Sequence, residues 1–443
     1  MDSPQHSPTP ATIFSAFHRI FSDYWVRPGR FLGPCQVWLT LMCMTMGGTK
    51  GYNRSLDEMK RLLGQHFGWG NHRPTPSALT LARKKLTREV CQDAMVQVRA
   101  GCTTASRFPR VRFGSWRLVA CDGTSLNLPV YATLRRHYGV PRSRHGDCLA
   151  PQAALTMLFD VGAHQPIAFH LDRCRYPERK ALGALLDHLR SGDLLLADRG
   201  YPSRALFAAL HARKLDFLIR ATAANSNSMM ECQEFLRSGQ TEAVVELRLL
   251  TAIQRQAGGG ATTLRVRLIR FRDEGVLITS LDRQQASAED LTKLYLDRWR
   301  IETAFGEMKG FRGLESFHAR TPLGIYQEVT SVMLFMLLES ELEARAHQHH
   351  ADEIARTSEK SPSGERQAST YRFNRLMIGD WVRYLLIDAT LGPAKIQHTL
   401  QDAIATLWRA RMRYKPGRFF PRETKAPYGK CRLKPRVTKN STA

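Results

Sequence analysis

Asp193 to Tyr201 reads "DLLLADRGY". The apolar run is too short for a helix and too continuous for a strand with one wet face. It suits a strand buried on both faces that ends at Asp198, where a glycine lets the chain turn. Upstream, "WRLVACDGTSLNLP" (116–129) reads as a strand stopping at Asp122 and Gly123. "APQAALTMLFD" (150–160) and "QPIAFHLD" (165–172) follow as strands around a turn at "VGAH". A helix from about Pro177, opened by "YPER", leads into the buried strand. A helix over about Ser203 to Lys214 and a strand at "DFLIR" come after it. This alternation predicts an α/β core of about a hundred residues.

The flanks read differently. Within residues 1–108, Thr12 to about Arg99 follow a helical period, broken at "GGTKGYNRS" and "WGNHRPTPS", with a basic stretch "SALTLARKKL". They are expected to form a helical N-terminal DNA-binding domain, or else a helical subdomain packed on the core. The first part of the α/β core spans 109–220. From 221 to 287, "AVVELRLL", "TLRVRLIRF" and "EGVLITSL" alternate as strands of a β-rich insertion. Residues 288–350 return to helices that complete the core. Residues 351–443 hold a polar linker, two helical segments and a tail in which Tyr and Phe interleave with basic side chains.

The chain of 443 residues has 65 Lys and Arg against 40 Asp and Glu, a formal charge of +25. That excess calls for a polyanionic partner, and nucleic acid fits it best. The apolar stretches "VWLTLMCMTMGG" and "VMLFMLLE" are too short to span a bilayer, and the start resembles no signal peptide, so a membrane partner is not expected. The nine cysteines form no C-x-x-C pair and predict neither zinc nor a disulfide framework. "HQHH" at 347–350 is a weaker metal candidate than a solvated helix end.

Asp122 and Asp198 each end an apolar strand before a glycine, where reactive groups of an open α/β sheet gather. Singly, each reads as a turn or cap residue. Together they are carboxylates that repel unless a hard cation lies between them. "YLDRWRIETAFGEMK" (295–309) adds a helix on which Tyr295, Arg298, Glu302 and Lys309 share an arc of roughly 60°, at the border of an apolar face. Arg300 and Glu307 fall on its far, solvated side. Glu302 would complete a two-metal site of the kind that cuts phosphodiesters. Asp160 and Glu178 are competing carboxylates, but neither is matched to a second feature.

The spacing Tyr295, Arg298, Glu302, Lys309 resembles the Y-R-E-K signature of the insertion sequence four family of DDE transposases. "DGT" at Asp122 and "DRGY" at Asp198 are similar to that family's two Asp motifs. The resemblance covers about Trp116 to Phe317. It implies a ribonuclease-H-like catalytic core interrupted by the β-rich insertion, and two Mg2+ ions, for which Mn2+ can substitute. Asp122, Asp198 and Glu302 become catalytic metal ligands, and Tyr295, Arg298 and Lys309 become contacts to DNA phosphates. The implied partners are double-stranded DNA, as transposon ends and target, and a second copy of the chain in a synaptic homodimer. The implied setting is bacterial cytoplasm, at the nucleoid when bound to DNA. The implied reaction is cleavage at the ends followed by strand transfer of the 3′-hydroxyl. A ribonuclease-H-like nuclease without strand transfer and an inactive DNA-binding derivative are the alternatives. Hairpin-forming relatives resemble one another in a Trp of the insertion that stacks on a flipped base. This chain has none between Trp116 and Trp299, which leaves Trp299, Phe235 or Phe271 to serve, or no hairpin at all.

Overall fold

The apolar run at 194–197 lies in the middle of an eight-stranded sheet. A computed structural model describes residues 32–46, 51–102, 113–143, 146–222, 229–249, 262–272, 275–356 and 371–413, with 251, 359–360 and 366–367. The strands are β1 Arg117–Asn127, β2 Gln152–Asp160, β3 Gln165–Arg173, β4 Asp193–Ala197, β5 Asp216–Thr222, β6 Glu242–Arg248, β7 Thr263–Phe271 and β8 Gly275–Thr279. Their order is β3-β2-β1-β4-β5-β8-β7-β6. The first three form an antiparallel meander, β4 and β5 run parallel to β1, and β8, β7 and β6 continue antiparallel. The strands of 221–287 therefore extend the main sheet. They are joined by a helix, Met230–Arg237, that the β-like alternation of this segment does not suggest.

Side chains of β1 and β4 alternate between two cores. Leu118, Ala120, Leu194 and Leu196 belong to one, and Val119, Cys121, Leu195 and Ala197 to the other. Helices are numbered α1 Pro34–Met46, α2 Tyr52–Leu63, α3 Pro76–Arg83, α4 Arg88–Gly101, α5 Ala132–Tyr138, α6 Glu178–Leu185, α7 Arg204–Ala212, α8 Met230–Arg237, α9 Ala288–Tyr295, α10 Arg300–Gly310, α11 Pro322–His349, α12 Ala351–Arg356, α13 Arg375–Leu391 and α14 Pro393–Arg409. The larger core takes in α1 to α4, α9 to α11, α13 and α14, while α6, α7 and α8 cover the smaller one.

Helix α11 is the axis of the larger core. It is buried along almost its whole length, and packs against α1, α4, α13, α14 and β3. The acids it carries inward need cationic partners, since an unpaired buried charge is costly. Glu328 takes Arg83 at 3.1 Å, Glu343 takes Arg375 at 3.0 Å, and Glu339 takes Arg312. Arg83 also donates to the Gly324 carbonyl at 3.0 Å and to Gln327 Oε1 at 2.9 Å. The N-terminal helices are thereby bonded to the helix that backs the sheet. Among the described residues no helix is long and apolar enough to cross a membrane.

Candidate active site

Asp122 and Asp198 are brought together by strand register. The parallel pairing of β1 with β4 ends at Cys121 opposite Ala197, so the next residue on each chain is an aspartate. By alternation both continue the row of Leu118, Ala120, Leu194 and Leu196, on the face covered by α9 and α10. The sequence reading ended the first strand at Asp122. Instead β1 runs on to Asn127, because β2 pairs with it as far as Asn127 opposite Gln152. Asp122 is therefore a mid-strand residue that has lost its neighbour on one side only. Each aspartate also takes a nearby amide: Gly123 N–H donates to Asp122 Oδ1 and Gly200 N–H to Asp198 Oδ1, both at 2.8 Å.

The helix opposite is not continuous. Between α9 and α10 the turn Leu296–Trp299 tightens to a 3-10 helix, which advances side chains by about 120° per residue. Residues three apart eclipse in such a turn, so Tyr295 and Arg298 stay on one side, the guanidinium 5.9 Å from the Tyr295 ring centre. Tyr295 lies inside, 2% exposed, with its ring edge against Phe271 and its hydroxyl donating to the Ala197 carbonyl at 3.4 Å. Arg298 is buried as well. It donates from Nη1 to Asp122 Oδ2 at 3.2 Å and from Nη2 to Glu302 Oε1 at 2.9 Å. Lys309 donates to the Ser125 carbonyl at 2.6 Å, past the end of the β1–β4 pairing. Side-chain exposure is 7% for Arg298, 31% for Lys309 and 41% for Glu302. Glu307 departs from the solvated position expected of it: it accepts from His164 Nε2 at 3.0 Å and pairs with Arg375 at 3.3 Å.

Glu178 is the carboxylate the sequence reading passed over. It begins α6, on the opposite face, and its carboxylate lies where a side chain at position 123 would be. A Cβ on Gly123 would sit 2.3 Å from Glu178 Oε1, and one on Gly200 would sit 3.7 Å from Oε2 and 3.2 Å from Asp198 Oδ1. The "DGT" glycine thus does more than let a chain turn; it admits a fourth acid. The only signal in the sequence was the acid at a helix start, a position acids favour for other reasons.

These charges feel one another. Burial, reinforced by Asp198 and Glu178 and only partly offset by the Gly123 amide and Arg298, pushes the Asp122 carboxyl up to about 6. Burial and the Asp198 charge raise that of Glu178 too. For Arg298, burial opposes the charge but Tyr295, Asp122 and Glu302 outweigh it, so its pKa is raised. Phe235 and Phe271, at 4% and 2% exposure, cannot receive a base, whereas Trp299 is 52% exposed with the Arg298 guanidinium 5.4 Å from its ring centre.

The family model for the transposase DDE domain matches residues 117–338, from the start of β1 into α11. The chain belongs to the transposase DDE domain family. The matched span contains every strand of the sheet and all the acids just described. No curated protein matches the chain. A solved structure, the piggyBac transposase synaptic complex with hairpin DNA, is similar over 90% of this chain and 84% of that one, with 11% identity and a TM-score of 0.45. So distant a likeness bears on neither the site nor its chemistry. Among the described residues no three Asp, Glu, His or Cys side chains are gathered tightly enough to enclose a metal ion, and the Arg298 guanidinium stands between Asp122 and Glu302.

Proposed function

We propose that this member of the DDE family cuts phosphodiester bonds at transposon ends and joins the freed 3′-hydroxyl to target DNA. The observation that carries the reading is the register that sets Asp122 beside Asp198, with Glu302 linked to Asp122 through one guanidinium. The strand order β3-β2-β1-β4-β5, a meander followed by two parallel strands, supports a ribonuclease-H-like core over 109–220 and 288–350, with 221–287 added at its edge.

The donors suit a hard divalent cation, because Asp122, Asp198, Glu302 and Glu178 offer oxygen alone, and the charges of Asp198 and Glu178 act against that of Asp122. Asp122, Asp198 and Glu302 would hold Mg2+, two ions in our reading, with Mn2+ able to replace it. When bound, the ions supply Lewis acidity to the attacking and leaving oxygens. The remaining roles belong to the chain. Arg298 keeps Asp122 and Glu302 aligned and presents a cation at the site's edge. Tyr295 fixes the end of β4 through the Ala197 carbonyl, a positioning role that its burial favours over the DNA contact its place in the signature implies. Lys309, the more exposed of the two cations, is assigned to a DNA phosphate. The excess of basic residues would hold duplex DNA, and a homodimer would bring two ends together.

The test is incubation of the full chain with Mg2+ and duplexes carrying the element's terminal inverted repeats. Joined products are expected. Cleavage without joining would reduce the reading to a nuclease, and end-binding without cleavage would leave a DNA-binding derivative.

A further inference from the structure

Glu178 has no place in the three-acid site, yet its side chain is directed there. As the first residue of α6 it could simply interact with its own helix terminus. Its course argues otherwise. The carboxylate crosses to β1 and occupies the space left by the missing side chain of Gly123, with its second oxygen toward Gly200 and Asp198. Arg298 accounts for Asp122 and Glu302. Among the described residues, neither Asp198 nor Glu178 has a cationic side chain within ion-pair distance. Beneath them Tyr201 is wholly buried, and its hydroxyl lies beside Glu178 and Cys121 without a hydrogen bond of ordinary geometry. Its polar neighbour is Glu178 itself, held at a geometry poorer than an ordinary hydrogen bond. Two acids without a cationic side chain, one from each face of the sheet and meeting where Gly123 and Gly200 leave space, have the chemistry to share a cation.

We propose that Glu178 is a fourth carboxylate ligand, sharing a divalent cation with Asp198, and that Gly123 is required because any larger residue displaces it. The proposal rests on the reading of Asp122, Asp198 and Glu302 as a cation-dependent centre. It adds a ligand from the α6 side, which the family signature on α9 and α10 does not contain.

The experiment uses the full chain and Mn2+ alone, reading binding from the electron-spin signal of the free ion and thermal melting with and without Mn2+. Glu178→Gln is expected to weaken Mn2+ binding tenfold or more and to shrink the rise in melting temperature on adding Mn2+. Melting without Mn2+ should not fall. Gly123→Ala should reproduce the loss, but should add nothing in a Glu178→Ala background, where the new methyl has room. A helix-terminus role would instead lower melting in Glu178→Gln and leave Mn2+ binding intact, overturning the proposal. Asp198→Asn separates the two levels: if it weakens Mn2+ binding and Glu178→Gln does not, Glu178 alone is excluded. If neither does, the cation-dependent centre itself falls.

Discussion

The Arg298 guanidinium is bonded to the Asp122 carboxylate, Nη1 to Oδ2 at 3.2 Å, while its other arm holds Glu302 at 2.9 Å. Side-chain exposures of 7% for Arg298 and 15% for Asp122 place this contact mostly out of water. Removing the arginine would strand a buried carboxylate, so Arg298→Ala should cost on the order of 2–3 kcal/mol of stability at pH 8. The loss should be smaller at pH 5, where Asp122 can take a proton instead. Arg298→Lys keeps the charge but cannot fork onto two acids, and should fall between wild type and the alanine variant in melting and in cleavage. Wild-type behaviour of the lysine variant would show that charge alone suffices.

Asp122 gives a second, pH-dependent prediction. Its carboxyl is pushed up from 3.8 to about 6 in the folded chain, so the proton binds the folded state more tightly. The stability this contributes is complete below about pH 4, and is lost as pH rises through about 6. Asp122→Asn removes the dependence and should be the more stable protein at pH 8, by on the order of 2 kcal/mol, with the gap closing toward pH 4. Denaturant unfolding across that range decides it; an unchanged pH slope in the variant would assign the effect to another group. Mn2+ binding, which needs the carboxylate, should weaken below about pH 6 in the wild type.

Much of this site was legible in the sequence, because periodicity reports burial directly. The run at 194–197 could only be an interior strand, and the residue after it had to emerge at the sheet's end. Two features were hidden for separate reasons. Asp122 lies mid-strand because β2, a neighbour distant in sequence, keeps pairing with β1. Glu178 comes from the opposite face, and only a Cβ placed on Gly123 shows that the two compete for one space.

The C-terminal tail lies outside the described residues beyond Arg413. Residues 414–443 carry nine Lys and Arg and one Glu. If they neutralise phosphates, truncation after Arg413 should flatten the salt slope of DNA binding by several units, since each phosphate contact contributes about 0.9. The cut belongs there because Arg411 pairs with Glu353 at 3.0 Å and stacks on Trp408, and Met412 pairs with Arg372. An unchanged slope would remove the tail from the DNA-binding surface.

Glu302 and Glu307 lie on the same helix and should fail in opposite ways. Glu302 is 41% exposed, and its described protein partner, Arg298, is also held by Asp122. An exposed i,i+4 pair is worth only about 0.3–0.5 kcal/mol, so Glu302→Ala should melt close to wild type. Cleavage should be lost, because the acid that faces the scissile bond in our reading is gone. Glu307, by contrast, accepts from His164, which is 5% exposed, and pairs with Arg375, which also holds Glu343 on α11. Glu307→Ala leaves a buried ring nitrogen without its acceptor, at a cost of about 1–3 kcal/mol. It should melt several degrees lower and still cut DNA when assayed well below its melting temperature. Melting curves and end-cleavage at low temperature for the two variants separate the roles. A Glu307 variant that is stable but inactive, beside a Glu302 variant that is active, would place the catalytic acid on the other side of α10.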